Sequence, residues 1–421
     1  MSEIKNVEYA AWIGLDWGSE KHALALQAAD CKEIESCTLD QTPEALHDWF
    51  MRLLARFPGR KVAIAIEQSK GPVIHFLLGF DFVHVFRINP KSLKNYREAL
   101  YPSGAKDDPV DADLLLRFLR LHSDRMKAWV PDDPQSRTLL RLVEFRRKTV
   151  GNRTRVTNAL TQALEEYFPQ ALQWAGALNT VMACDFLMRW PTLEKLQKTK
   201  GEKIRKFFQE HGFRRKDPID ERMNQIRSAM ALTKDPAVIN TSVVMVQTLV
   251  SQLRAFLDSI RAIDDQIEEI FRKHPDFEIF DSFPGAGAVM APRLQTAMGS
   301  DRDRFDSPED VQNYSGTAPV TERSGKSIWV HRRFASSRFV KQSFHEFALH
   351  SIGQCKWARA YYDMQRKRGK EHHAAVRALA YKWIRIIFRC WKDHLPYNDE
   401  KYVESLRTKN SPCLAFLPVA A

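Results

Sequence analysis

The run Val62-Ala-Ile-Ala-Ile66, closed by Glu67, is an uninterrupted apolar strand of the kind buried on both faces of a parallel sheet. The sequence around it supplies the rest of such a sheet. Ala11-Trp-Ile-Gly-Leu-Asp-Trp-Gly18 is a short apolar run ending in a turn, His22 to Ala28 continues with strand-like content, and Glu33 to Thr38 is a third extended piece. Three strands so close together suit an antiparallel meander. Leu46, Trp49, Phe50, Leu53 and Leu54 then give residues 42–57 a helical period, and a helix from about Pro72, a strand from Phe82 to Ile88 and two further helical stretches follow.

The resulting order, βββαβαβα, is that of ribonuclease H-like domains. It also locates the acids. Asp16 falls on the first strand, Glu67 ends the central parallel strand, and Asp108 with Asp111 opens the last helix. Open α/β sheets place their ligands at the carboxyl ends of parallel strands and the adjoining helix starts. In Lys106-Asp-Asp-Pro-Val-Asp-Ala-Asp113, a helix beginning at Pro109 puts Asp108 and Asp111 on one face, with Cβ atoms roughly 5–6 Å apart. The same segment is also a good helix start, with Asp at the N-cap, Pro next and an acid two residues on. Capping and chemistry are compatible here, because a fixed helix start holds Asp111 rigidly. Four converging carboxylates need protons or cations to coexist, and Mg2+ suits hard oxygen ligands. A pair of such ions about 3.5–4 Å apart stabilises the attacking and leaving oxygens of a phosphodiester.

The 421 residues, 44% of them hydrophobic, are enough for two or three domains. Sixty-four Lys and Arg against 52 Asp and Glu give a net charge of +12, which favours a polyanionic partner, nucleic acid being the commonest. The basic residues cluster at 146–148, 198–206, 214–216, 332–333 and 366–370. Six scattered cysteines without a CxxC pair suggest neither a zinc site nor a disulfide framework. With no signal peptide and no apolar run of about eighteen residues, the expectation is a soluble, cytoplasmic protein with no membrane association.

Beyond residue 131 the pattern turns helical. Residues 137–166 carry Leu139, Leu142, Val143, Val150, Val156, Leu160 and Leu164 among basic residues, and a mixed, basic stretch follows to about Pro236. Val246, Leu249, Leu253, Phe256, Ile260, Ile263, Ile267 and Ile270 then repeat at alternating spacings of three and four, a heptad pattern. It stands equally for a coiled coil between chains and for a long helix of an intramolecular hairpin, packed on the 137–166 helix. At Ser282 the composition shifts to Phe-Pro-Gly-Ala-Gly-Ala-Val-Met-Ala291, where Gly285 and Gly287 resemble the turn of a helix-hairpin-helix whose backbone N–H groups meet a phosphate. Residues 340–395 are again helical, mixing aromatics with Arg and Lys. The expected architecture is α/β plus α: a ribonuclease H-like domain at 8–130, a helical coiled-coil region at 131–277, a mainly α domain at 278–400 and a tail at 401–421.

Several motifs together resemble the DEDD transposases of insertion sequences, the IS one-ten and eleven-eleven groups. In the first half these are Ile-Gly-Leu-Asp-Trp-Gly-Ser around Asp16, Ile-Ala-Ile-Glu at Glu67, Arg87-Ile-Asn-Pro90 and Lys-Asp-Asp-Pro-Val-Asp-Ala. In the second half they are 283–291, Arg-Phe-Asp-Ser at 304–307, Tyr-Ser-Gly-Thr-Ala-Pro at 314–319 and Arg-Ser-Gly-Lys at 323–326. The resemblance covers most of residues 11–350. It implies a RuvC-like catalytic domain in which Asp16, Glu67, Asp108 and Asp111 hold Mg2+, and a C-terminal transposase domain in which Ser324 becomes covalently joined to DNA. It further implies donor and target DNA as substrates and a structured bridge RNA as guide; the heptads, together with the several active sites that recombining two duplexes needs, lead to the expectation of a homodimer or homotetramer. The family usually has Thr where Asp107 stands, so Asp107 and Asp108 both remain candidates for the third ligand, with spacing favouring Asp108. From the residues themselves, Arg323, Lys326, Arg332 and Arg333 make a basic setting suited to a transferring phosphate.

Two other readings compete. Gly-Leu-Asp-Trp-Gly-Ser-Glu-Lys is similar to the first phosphate loop of actin-like sugar kinases, but no second phosphate loop or adenosine motif follows residue 150. A non-catalytic RNA- or DNA-binding scaffold would explain the charge and the heptads while leaving the strand-borne acids accidental.

Overall fold

The computed structural model describes residues 7–67, 71–101, 108–213, 215–334 and 336–417, with the side chains of Pro72, Asp108 and Lys216 left aside. The chain divides into two compact units, Met1–Pro131 and Asp132–Ala421.

In the first unit β1 (Tyr9–Trp17), β2 (Lys21–Ala28) and β3 (Glu35–Asp40) form the expected antiparallel meander. Helix α1 (Pro43–Arg56), capped by the Thr42 hydroxyl, leads to β4 (Lys61–Ile66), which pairs parallel to β1. Helix α2 (Pro72–Leu77) leads to β5 (Val83–Arg87), parallel to β4, and α3 (Pro90–Leu100) and α4 (Asp108–His122) follow. The strand order is 3-2-1-4-5. The Arg-Ile-Asn-Pro motif has a local explanation: Arg87 ends β5, Asn89 accepts a hydrogen bond from Lys91 N at 2.9 Å, and Pro90 opens α3.

Strand alternation sorts the two faces of this sheet. Ile13, Leu15, Leu24, Leu26, Ile64 and Ile66 pack with Leu46, Phe50 and Leu53 of α1 and with Val73, Ile74 and Leu77 of α2. The other face is made of small residues, Gly14, Ala23, Ala25, Ala63 and Ala65, and α4 lies on it with Ala112, Leu114, Leu115, Leu116 and Leu119 fully buried. Gly14 fixes how close the helix comes. A Cβ there would stand 1.9 Å from Ala112 O and 2.6 Å from Leu116 N. Farther along α4, the Arg120 guanidinium lies over the Trp12 ring at 5.7 Å. The helix therefore runs antiparallel to β1, and its first turn points to the strand end that carries Asp16.

The second unit is helical apart from one hairpin. Helices α5 (Pro134–Tyr167), α6 (Ala171–Trp174), α7 (Val181–Arg189), α8 (Leu193–Gln197), α9 (Gly201–Glu210) and α10 (Lys216–Ser228) precede α11 (Pro236–Arg272). Helices α12 (Phe277–Asp281), α13 (Gly287–Met298) and α14 (Pro308–Ser315) then lead to β6 (Val320–Ser324) and β7 (Ser327–His331). Helices α15 (Arg338–Gln354), α16 (Lys356–Lys367), α17 (His372–Asp393) and α18 (Asp399–Thr408) finish the chain. Residues 401–417, expected as a tail, instead form most of α18 and a short 3-10 turn, with Leu406 and Cys413 buried in the core.

The heptad seam of α11 is used inside the chain. Arg146 of α5 pairs with Asp264, and Gln135 donates to Ile270 O at 3.0 Å, so the two long helices lie antiparallel. Val246, Val250 and Leu253 join Leu160 and Leu164 in one core, while Ile263, Ile267 and Phe271 join Leu139 and Val143 in another. Of the two readings of the heptads, this is the intramolecular hairpin. Among the described helices only α11 has the length and composition of a membrane span, yet its apolar stripe belongs to these cores. A buried polar link locks one end of the pair: Ser136 Oγ lies 2.8 Å from His274 Nε2, and Gln295 Nε2 donates to Ser136 Oγ at 3.2 Å. Burial holds the His274 imidazole below its ordinary pKa, which favours the neutral ring that accepts from Asp276 N at Nδ1.

Candidate functional site: strand-end acids and a serine hairpin

The register of the sheet places two of the four expected acids side by side. Leu15 pairs with Ile66 across the parallel β1–β4 ladder, so Asp16 of β1 and Glu67, the residue just after β4, stand level at adjoining carboxyl ends. Both are two residues beyond members of the small-residue face, Gly14 and Ala65, which places them on the side of the sheet that α4 covers.

The helix-borne acids divide. Asp108 is the first residue of α4 and lies about one turn, roughly 6 Å, before Ala112, the residue that meets Gly14. Its backbone position is thus on the line that faces β1, while its side chain, like the whole of Asp107, lies outside the described residues. Asp111 is turned toward α3. It is almost fully buried, and an Arg97 guanidinium nitrogen stands 2.5 Å from its Oδ1. The contact is ionic without a well-aligned hydrogen bond, since Asp111 Oδ1 and Arg97 Nε each lack one. Arg97 is a partner that motif reading missed; the only trace of it in the sequence is the basic spacing Lys91, Lys94, Arg97.

These donors have the chemistry of a hard divalent cation site, and the buried Asp111 oxygen without a hydrogen bond is an acceptor such an ion could use. Among the described residues, however, no three His, Cys, Asp or Glu side chains lie close enough to hold a metal ion. What is described is the Asp16–Glu67 pair and the helix start aimed at it.

Ser324 lies in the second unit, at the end of β6, where Gly325 and Lys326 make a two-residue turn and Gly325 adopts φ +56°. Only glycine and a few polar residues take that backbone readily, which is the local reason for Ser-Gly-Lys. Ser324 pairs with Ser327, and alternation puts Glu322, Ser324, Ser327, Trp329 and His331 on one ribbon face and Arg323, Ile328 and Val330 on the other. Of the four expected nucleic-acid residues, Lys326 is in the turn and Arg323 points to the face opposite Ser324. Arg332 and Arg333 follow the ribbon, roughly 16 Å from its tip at 3.3 Å per residue.

At that foot a cation cluster appears that the sequence had not revealed. Lys341 of α15 donates to Arg333 O at 3.1 Å, and its pKa is lowered by burial and by the nearby Arg332 and Arg377. Arg377 of α17 is lowered likewise, by burial first and then by Arg332. The helix-hairpin-helix expectation fares differently. Gly285 packs on α15, where a Cβ would come 3.1 Å from His350 C and 3.2 Å from Ser351 N, so its lack of a side chain serves close packing.

A 3-2-1-4-5 sheet with acids at the ends of its first and fourth strands defines a ribonuclease H-like domain, the class of fold that carries carboxylate-based nucleic-acid chemistry. Residues 13–169 match the transposase family of the DEDD IS110 type, and residues 277–363 match the family described as Transposase IS116/IS110/IS902. The chain belongs to this family of insertion-sequence transposases, which sets aside the kinase reading. Among its relatives is a Streptomyces coelicolor protein named as a mini-circle transposase for IS117, 27% identical over 92% of this chain and 95% of its own length. An IS900 42 kDa protein of Mycobacterium paratuberculosis is 25% identical over 92% of this chain and 97% of its own. The 43.6 kDa protein of IS110, also from Streptomyces coelicolor, is 26% identical over 92% and 95%.

Proposed function

We propose that this transposase is an RNA-guided DNA recombinase that cleaves and rejoins strands through Ser324, assisted by a carboxylate-held Mg2+ site. The observation that carries the reading is the level placement of Asp16 and Glu67 on the α4 side of the sheet. Asp16, Glu67 and Asp108 would hold the ion, with Asp111 completing the set if it leaves Arg97. When bound, Mg2+ supplies charge neutralisation for the phosphodiester under attack.

In the serine step, the Ser324 oxygen bonds to phosphorus as the bond from phosphorus to one sugar oxygen breaks. The serine proton ends on the departing sugar hydroxyl, leaving a serine–DNA phosphodiester. A hydroxyl of another strand reverses the step, restoring the serine and joining the strands. Lys326 beside Ser324 favours a phosphate at the turn, and the Arg332–Lys341–Arg377 cluster favours more of the backbone at the ribbon's foot. Pairing by a bridge RNA with donor and target DNA would supply the sequence specificity. Assembly into dimers or tetramers would have to use surfaces other than the α11 seam, which α5 occupies.

The test is a denaturing gel of the full chain incubated with guide RNA, labelled donor and target DNA, and Mg2+. Ser324→Ala is expected to bind both nucleic acids as the parent does but to form no covalent DNA adduct. A parental amount of adduct in that variant removes Ser324 from the chemistry.

A further inference from the structure

The β6–β7 ribbon is the most conspicuously uncovered apolar surface among the described residues. Trp329 is 73% exposed, Ile328 63% and Val330 59%, whereas Trp174, Trp190, Trp357, Trp383 and Trp391 are fully buried. A two-stranded ribbon with both faces in water is marginal on its own, and an aromatic ring left in solvent forgoes the largest burial gain any side chain offers.

The register says what Trp329 is near. It lies directly across from Glu322 and on the face of Ser324, diagonal to it, a cross-strand separation of about 7–8 Å. One nucleotide spans such a gap between its phosphate and its base. The charge around the ribbon says what it faces. Arg323 lies on its opposite face, Lys326 in its turn and Arg332 and Arg333 at its foot, and its one carboxylate, Glu322, is engaged by His331 at 2.8 Å. A second copy of this ribbon would bring the same cations against them, so a polyanion is the complementary occupant.

We propose that Trp329 is a positioning residue that stacks on a base of the bound DNA strand and so seats the adjoining phosphate at Ser324. The placement of that phosphate rests on the role of Ser324 proposed above; the stacking does not. Stacking on an indole tolerates any sequence, which suits an enzyme whose specificity is carried elsewhere.

The test uses the full chain carrying Ser324→Ala, so that binding is read without chemistry, and an oligothymidylate containing a single 5-iododeoxyuridine. Trp329→Ala in this background is expected to weaken binding about 5- to 100-fold, Trp329→Phe to recover most of the loss, and the salt dependence to stay the same because no charge is removed. Photo-crosslinking should map by mass spectrometry to Trp329. Unchanged affinity in Trp329→Ala with crosslinks at other residues overturns the proposal. So does unchanged affinity with a smaller assembly by light scattering, which would give the surface to a second copy. If the Ser324→Ala protein still forms adduct while the crosslink stays at Trp329, the stacking stands and the Ser324 assignment falls.

Discussion

Asp16 and Glu67 each follow a buried strand residue, Leu15 and Ile66, whereas Ser324 stands at the tip of a ribbon exposed on both faces. The acids are held by a sheet sandwiched between helices, with Gly14 letting α4 come into backbone contact. The serine is held by five cross-strand pairs and a turn. The difference is one of rigidity. The roles proposed for them fit that difference: a cation site needs several oxygens fixed at once, while a nucleophile that receives a strand and later returns it gains from a mount that adapts to its substrate.

The largest expected effect tests the rigid side. Asp16→Ala and Glu67→Ala should each lower Mg2+-dependent strand cleavage by about a thousandfold or more, a loss of roughly 4 kcal/mol in the barrier, while circular dichroism stays that of the parent. Cleavage at the parental rate in either variant would dismiss the acid pair. Next, Arg97→Ala leaves the buried Asp111 carboxylate without its cation and should cost the first unit about 3–5 kcal/mol in urea unfolding. Tight Mg2+ binding that restores that stability would mark Asp111 as an ion ligand, and no restoration would mark it as structural.

The glycines give the sharpest contrast between the two mounts. Gly14→Ala should destabilise the first unit by about 1–3 kcal/mol, since the new methyl meets helix backbone that cannot yield alone. Gly325→Ala meets nothing within 4 Å and should cost about 1 kcal/mol, from its left-handed backbone, confined to the ribbon. Equal losses of global stability would erase the distinction between rigid and adaptable mounts.

The smallest effect is electrostatic. The hydrogen bond to Glu322 raises the His331 pKa above its ordinary value, so the charged pair is fully formed below the unfolded pKa and is lost as pH rises through the folded one. An NMR titration should find His331 titrating above the usual histidine range in the parent and falling back in Glu322→Gln. A normal midpoint in both would mean that the pair does not hold in solution.

Much of the first unit was legible because its signals are local. Alternation, a five-residue apolar run and capped helix starts name β1 to β5 and the helices between them, and those elements admit few sheet orders. The ends of β1 and β4 carry the acids for the same reason. Arg97, Lys341 and Arg377 were not legible, because each matters through a partner outside its own element, and a lone cation on a helix looks like a solvated one. The heptads of α11 were legible as a stripe but not as a destination.

The sequence by itself determined the elements of the first unit and the family, and it named the four acids and the serine as candidates. It did so because strand and helix periods, turn chemistry and motif spacing are written along the chain. Only the tertiary structure decided that the start of α4 lies over the carboxyl end of β1 while Asp111 turns to Arg97, that α5 fills the α11 seam, and that Trp329 shares a face with Ser324. Those are matters of helix rotation, packing partner and strand register, and each is selected by burial against a surface that is distant in the sequence.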